Sequence, residues 1–286
     1  MRIDLHIHST ASDGTFSPLE IIQMARELKL GAIAITDHDT IAGAKEALSV
    51  EIPPSLRFLT GVEISTSPPP SYYGSGSFHI LGYCLDLSDP TLNKTLIILQ
   101  NARENRNPHI IERLNSMGVD ISLEEVRCEA DDCQLGRPHI AQTMVRKRIV
   151  ASINEAFDNY LAKGKPAYVD KYRIACNRAI QILLDAGGIP VLAHPVLLNI
   201  KKAEGLEELI LDLKSMGLKG IEVYYPEQTP ADTARYIDLA KRHGLLMTGG
   251  TDFHGAIKPD VKMGSGKGDL YVPYELYEEL NQETAN

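Results

Sequence analysis

Short apolar runs recur along this chain, and most of them close on a histidine or a carboxylate. IDLHIH (3–8) carries His6 and His8, AIAIT (32–36) runs into Asp37, His38 and Asp39, RFLTGVEIS (57–65) holds Glu63, and FHILGY (78–83) holds His79. Further on, IPVLA (189–193) is followed by His194, and LMTGGT (246–251) by Asp252 and His254. Between most of these runs lie stretches of helical periodicity. Ser17 and Pro18 open one as N-cap and first helical residue, Ile21, Ile22, Ala25 and Leu28 form its apolar stripe, and Gly31 closes it. Others cover 41–49, 174–186, 204–216, 230–243 and 274–281, with a last short strand at LYV (270–272). Strands that alternate with helices imply a parallel sheet or barrel, because a parallel crossover needs a connection of helix length. At 286 residues the chain has the size of one (β/α) barrel, commonly about 250 residues.

The rhythm breaks between Pro90 and about Ala162, where helical patterns follow one another without a clear strand. One long helix, interrupted or kinked near Pro108, is followed by short helices in ISLEEV, PHIAQTMVRKR and INEAFDNYLAKG. Residues 1–89 and 166–286 are therefore expected to form the barrel, and 90–165 an inserted helical lobe. Net charge is −9, which argues against coating long duplex nucleic acid, but it is uneven. Residues 100–175 hold 12 basic and 11 acidic side chains, while the rest holds 17 and 27, so the middle segment is the less repulsive place for an anion. No run of about 20 apolar residues suggests a membrane span. The chain starts directly on a strand, without the basic and apolar regions of a secretory signal, and a cytoplasmic location is expected. Cys84, Cys128, Cys133 and Cys176 form no CxxC pair and are expected to be reduced.

In a barrel of parallel strands the C-terminal strand ends share one face, where active sites are built. His6 and His8, two apart on a strand, point the same way roughly 7 Å apart. Imidazoles with carboxylates and no cysteine suit Zn²⁺, Mn²⁺ or Fe²⁺ and argue against a structural zinc site. The set exceeds what one ion needs, and Glu63 could bridge two ions through its two oxygens. Clustered ions activate water and clamp a phosphoryl group.

His-x-His at 6–8, TDHD at 36–39, GVEI at 61–64, AHP at 193–195 and TDFH at 251–254 resemble, in order, the signature of the PHP (polymerase and histidinol phosphatase) family. DLHIHSTASDGT and AITDHDT resemble the branch of stand-alone phosphoesterases that act on nucleotides, which includes 3′,5′-nucleoside bisphosphate phosphatases and 5′→3′ exoribonucleases. The resemblance implies an α/β fold, a distorted (β/α)7 barrel, with a helical insertion capping a centre of two or three ions. Mn²⁺ is the favoured ion, with Fe²⁺ and Zn²⁺ as alternatives. Carried over by position, it implies one ion at His6, His8, Glu63 and Asp252, a second at Asp13, His38 and His254, and a third at Glu63, His79 and His194. Asp13 comes from the match at SDG (12–14) alone, since its loop position has no spacing signal. Asp37 and Asp39 read either as groups orienting imidazoles or as turn and cap residues.

A phosphate ester needs cations beyond the metals, and Arg suits bidentate contact. Arg103 and Arg106 lie i, i+3 on one helix face, Arg137 and His139 at a helix start, and Lys163 and Lys165 in KGKPAYV. Tyr72, Tyr73 and Tyr168 are the aromatics available for base stacking, and none stands out. The expected activity is hydrolysis of phosphate esters of small nucleotides or short RNA 5′ ends by a metal-bridging hydroxide. His194 and His254 enter the catalytic set as ligands, which leaves His139 as the helper for proton transfer. The alternatives are hydrolysis of histidinol phosphate or another small phosphomonoester, and a non-catalytic scaffold. The scaffold is disfavoured because such domains usually lose ligands, whereas all nine positions are filled here.

Overall fold

The computed structural model describes residues 1–73, 76–127, 135–200 and 203–283. Its strands are β1 (Asp4–Ile7), β2 (Ala32–Ile35), β3 (Arg57–Ser67), β4 (His79–Tyr83), the two-residue β5 (Ile174–Ala175), β6 (Ile189–Leu192), β7 (Gly220–Tyr224) and β8 (Leu246–Gly249). They form one curled sheet in the order β1-β2-β3-β4-β6-β7-β8, with β5 added beside the end of β3. Helices α1 (Pro18–Glu27), α2 (Ala42–Ala47), α7 (Cys176–Asp185), α8 (Ala203–Ser215), α9 (Pro230–His243) and α10 (Glu275–Glu283) accompany the strands. Between β4 and β5 stand α3 (Pro90–Ser116), α4 (Leu123–Arg127), α5 (Arg137–Arg146) and α6 (Ile153–Ala156). This is a distorted (β/α)7 barrel with an inserted helical lobe. Its seam is spanned by the segment after β8: His8 N–H donates to Phe253 O at 2.9 Å. Gly250 permits that approach, because a Cβ there would sit 2.3 Å from the His6 nitrogen.

Two packing layers show which way each strand faces. Ile3, Leu5, Ala34, Leu59, Leu81 and Val191 pack with one another inside the sheet, closed by Leu276 and Leu280 of α10. Ile7, Ile33 and Ile35 pack outward against Ile21, Ile22 and Ala25 of α1. Leu5 and Ile7 thus face opposite sides although they lie two apart. A bulge between Asp4 and Ile7, which pair with Ile33 and Ile35, inserts the extra residue that changes the face. The simple alternation expected for IDLHIH is broken there, and both His6 and His8 come to face inward above Leu5.

The expectation of uniformly parallel strands fails at β4, which is antiparallel to both β3 and β6. Among the described residues between β3 and β4 no helix is long enough for a crossover, and the chain folds straight back. His79 therefore opens its strand rather than ending it, and reversal brings that first residue to the same rim as the other strands' ends.

Four smaller expectations are also corrected. Residues 174–175 pair with β3 before α7 begins. LYV at 270–272 is not a strand: Ile3 N–H donates to Val272 O, but Pro273, lacking an N–H, follows at once. Helix α3 is not interrupted at Pro108, where apolar residues on both sides are buried. Helix α1 ends at Glu27, with Lys29 taking the left-handed turn assigned to Gly31. The Ser17 cap is present and is completed by Glu20.

Leu92, Leu96 and Leu99 of α3 belong to the core that α7, α8 and α9 build on the sheet. Ile110 and Leu114 of the same helix pack with Val126, Ile140, Met144 and Leu161 in a second cluster. One helix therefore ties the inserted segment to the barrel. Among the described residues no helix is long and apolar enough to cross a membrane. Cys84 and Cys176 are not joined in a disulfide, and Cys128 and Cys133 lie outside the described residues.

Candidate metal centre

Glu63, inward-facing and buried in the middle of β3, is the centre around which the histidines gather. Its Oε2 lies 2.9 Å from His38 Nδ1, 3.2 Å from His8 Nε2 and 3.4 Å from His6 Nε2. Its Oε1 lies 2.6 Å from His79 Nδ1 and 2.8 Å from His194 Nε2, and those two nitrogens are 3.3 Å apart. Asp252 Oδ1 stands 3.0 Å from His8 Nε2 and 3.5 Å from His6 Nε2. Asp13 Oδ1 is 3.4 Å from His254 Nε2 and 3.7 Å from His8 Nδ1, and Asp13 Oδ2 is 4.0 Å from His38 Nε2. All nine residues carried over from the resemblance thus meet in one place. The donor atoms of eight of them fall into overlapping groups: His6, His8, Glu63 and Asp252; His8, Asp13, His38 and His254; and His38, Glu63 and His79, with His194 beside Glu63 and His79.

The donor set fits divalent cations. His6 Nε2, His8 Nε2, His38 Nδ1, His194 Nδ1, Asp13 Oδ1 and Glu63 Oε2 are buried and make no directed hydrogen bond. Such atoms are costly to leave unpaired, and most of them converge on the same small volume. Oxygen and imidazole nitrogen without thiolate is the donor chemistry of Mn²⁺, Fe²⁺ and Zn²⁺.

The surrounding polar groups aim these ligands. Glu222, fully buried on β7, accepts from His6 Nδ1 at 2.9 Å and from His194 N–H at 2.7 Å. It leaves His6 Nε2 as the lone pair facing Glu63 and Asp252. His254 Nδ1 donates to Asp252 O at 2.8 Å, which turns its Nε2 toward Asp13. Asp37 touches no imidazole; it accepts from Ser9 N–H, Ser9 Oγ and Ser12 Oγ at 2.6–2.7 Å and so shapes the loop that delivers Asp13. Gly14 is required in that loop, since a Cβ would lie 2.2 Å from His8 O. Asp39 accepts from Ser65 N–H at 2.8 Å, Arg103 at 3.1 Å and Lys171 at 2.7 Å. Ser12 Oγ, held by Asp37, lies 3.4 Å from His8 Nδ1, so Asp37 shapes the loop and also bears on that imidazole through Ser12. Asp39, His194 and Asp252 all have positive φ (57°, 27° and 51°), an uncommon state for non-glycine residues that concentrates here.

Above the centre opens a cavity of about 820 Å³, whose floor includes Glu63, His38, His79 and His194. Arg103, Arg106 and Arg137 stand in its wall, joined by Lys163, Lys171, Arg173 and Lys258. Arg106 is buried with its Nε unpaired, and burial beside Arg103 and Arg137 brings its guanidinium down to about 9. Arg137 donates to Leu161 O at 2.9 Å and lies over the Phe157 and Tyr168 rings. His139 is elsewhere: it is buried, its Nδ1 accepts from Gly136 N–H at 3.0 Å, and it is absent from the cavity wall. Lys165 is exposed and also outside the wall. Sequence reasoning missed Glu222, Lys171, Arg173 and Lys258. Glu222 left one sign, an acid inside the apolar strand GIEVY. The others sit in loops with no spacing to mark them.

Residues 4–183 match the PHP domain family. A 3′,5′-nucleoside bisphosphate phosphatase of Chromobacterium violaceum is 32% identical over 88% of this chain and 87% of its own length. The 5′-3′ exoribonuclease Rnm of Escherichia coli is 34% identical over 98% of this chain and 95% of its own. A solved structure from Bifidobacterium adolescentis, assigned to the metal-dependent phosphoesterases, superposes with a TM-score of 0.85 at 29% identity, covering 97% of this chain and 94% of that one. The chain belongs to the PHP domain family. It is a metal-dependent hydrolase of phosphoester bonds, related to enzymes that act on nucleotides and RNA.

Proposed function

We propose that this enzyme hydrolyses phosphate esters of small nucleotides, 3′,5′-nucleoside bisphosphates or the 5′ ends of short RNA, with Mn²⁺ as its ion. The observation that carries this reading is one cavity with a ligand-rich floor and a separate wall of arginines. His6, His8, Glu63 and Asp252 would hold one ion, Asp13, His38 and His254 with His8 a second, and Glu63, His79 and His194 a third. Divalent ions so held generate a nucleophile from water at neutral pH and neutralise phosphoryl charge.

The remaining work falls to the chain's own groups. Arg106 and Arg137 hold a phosphate that does not react, so the reacting phosphate is seated over the floor. Clustered buried guanidiniums call for an anion, and Arg106, with an unpaired Nε, has N–H groups to give one. Tyr73, at the cavity rim and 71% exposed, offers a free face for a base. Tyr72 packs against the core and Tyr168 lies under Arg137, so both are occupied. In this reading the helical segment 90–165 covers the mouth and reads the substrate, while 1–89 and 166–286 carry the chemistry.

Arg106→Ala tests it. Loss of one charge-assisted contact is worth roughly 1.5–3 kcal/mol, or one to two decades in kcat/KM. A nucleoside 3′,5′-bisphosphate should suffer that loss, and p-nitrophenyl phosphate, which has no second phosphate, far less. Equal losses on both would move Arg106 to the reacting phosphate and favour an undifferentiated phosphomonoesterase.

A further inference from the structure

An ester with a ribose leaving group needs a proton on that oxygen as the bond to phosphorus breaks. The histidines on the floor are committed as ligands, and His139 is absent from the cavity wall. Arg106 and Arg137 are committed to the second phosphate, Arg103 to Asp39 and Arg173 to Asp170. Lys258 donates at 2.6 Å to Asp252 Oδ2, so it serves a ligand. Lys163 lies at the exposed rim. Lys171 is different. Its Nζ donates to Asp39 Oδ2 at 2.7 Å and to Ser65 Oγ at 2.9 Å, its side chain is 6% exposed, and it lines the cavity. Those two bonds use two of three N–H groups and leave the third for the cavity.

Its anchor fixes where that proton points. Ser65 lies two residues beyond Glu63 on the inward face of β3, and it pairs across the sheet with His79 of β4. One strand repeat, roughly 7 Å, therefore separates the lysine's anchor from the residue at the heart of the centre. Asp39 secures the other side, and its second cation, Arg103, comes from α3.

We propose that Lys171 is the proton donor to the leaving oxygen, held in place by Asp39 and Ser65. The inference rests on the phosphoesterase reading. In the step, a water oxygen bonds to phosphorus and gives up one proton to solvent as its O–H bond breaks, and the ester P–O bond breaks. The departing ribose oxygen takes a proton from Nζ, where an N–H bond breaks as the O–H bond forms. The neutral amine then recovers a proton from solvent through the cavity. The charged groups facing Nζ suit it to this: burial and Arg103, with Arg106 beyond it, draw the ammonium down against the pull of Asp39, to about 7. A donor near neutral pH balances occupancy against ease of transfer.

The test compares a nucleoside 3′,5′-bisphosphate with p-nitrophenyl phosphate, whose leaving group needs no proton. General acids contribute typically about 10²–10⁴-fold. Lys171→Met should therefore lower kcat on the ribose ester at least about 100-fold more than on the aryl ester. Lys171→Arg keeps the charge beside Asp39, and so the fold, but should show the same selective loss. The fall in ribose-ester turnover above about pH 7 should vanish in both variants, with ion content as in the wild type. Equal losses on the two esters, or full recovery in Lys171→Arg, would overturn the assignment and leave Lys171 as a charge or a strut. A wild-type protein inactive on both esters with Mn²⁺ would overturn the proposed hydrolysis of nucleotide esters, and the proton donor with it.

Discussion

Replacing Glu63 with glutamine is expected to lower turnover by about three decades at saturating Mn²⁺ and to cost the protein at least one bound ion. Glutamine has nearly the same shape, so packing inside β3 is kept. The change lies in what the five surrounding imidazoles meet. Oε2 is shared by His6, His8 and His38, and Oε1 by His79 and His194. An amide presents N–H groups to at least two of these nitrogens and has no charge to hold a cation between them. Metal assistance is worth several kcal/mol of transition-state stabilisation, and each 1.36 kcal/mol is a decade. Steady-state kinetics with ion analysis of the same sample checks the expectation. Near-normal turnover at full ion content would remove Glu63 from its bridging role.

Stripping the ions should lower the melting temperature by at least about 8 °C relative to protein in excess Mn²⁺. The buried floor holds imidazole and carboxylate atoms with no directed hydrogen-bond partner, and cations supply the partner only in the folded state. Binding at 1,000 times Kd stabilises by about 4 kcal/mol per site. For domains of about 150–250 residues, 1 kcal/mol moves the midpoint roughly 2–4 °C, and this chain is somewhat longer at 286 residues. Calorimetry of chelated and reloaded protein measures the shift. A midpoint indifferent to Mn²⁺ would mean that the donors are satisfied without ions.

Much of the centre could be read from the sequence because its parts are local. A histidine two residues from another on a strand, or a carboxylate closing an apolar run, announces itself by spacing, as His6, His8, His38 and Asp252 do. The fold class followed from the same alternation of strands and helices. Asp13 was legible only through family resemblance. It reaches the centre because Asp37 and two serines bend its loop, and no periodicity encodes that bend. The bulge in β1 was invisible as well. Apolar and polar residues alternate through IDLHIH whether or not a residue is inserted into the pairing, and only the partner strand decides it. The reversal of β4 had a sign that spacing alone did not weigh: the connection from Ser67 to His79 is shorter than a parallel crossover needs.

The cations divide for a similar reason. Arg106 and Arg137 look like solvated helix charge in sequence, and tertiary packing puts them in the cavity wall. His139 and Lys165 carry the same local signal, yet one is consumed in the turn at Gly136 and the other faces solvent. Lys171 is distant in sequence from both of its partners, Asp39 and Ser65, and pairs of that kind leave no trace in a single chain. Glu222 was the one omission with a visible mark. A carboxylate inside an apolar inward-facing strand must have a buried partner, and here the partners are His6 and the backbone of His194.

Everything proposed for this enzyme depends on ions held at the rim by residues from six of its strands and the loops that follow them. Elemental analysis of protein purified without chelator counts them directly. Two to three divalent ions per chain is the expected result, falling by at least one in Glu63→Gln. Less than about one ion per chain, in protein that remains folded and has been offered Mn²⁺, would contradict the account.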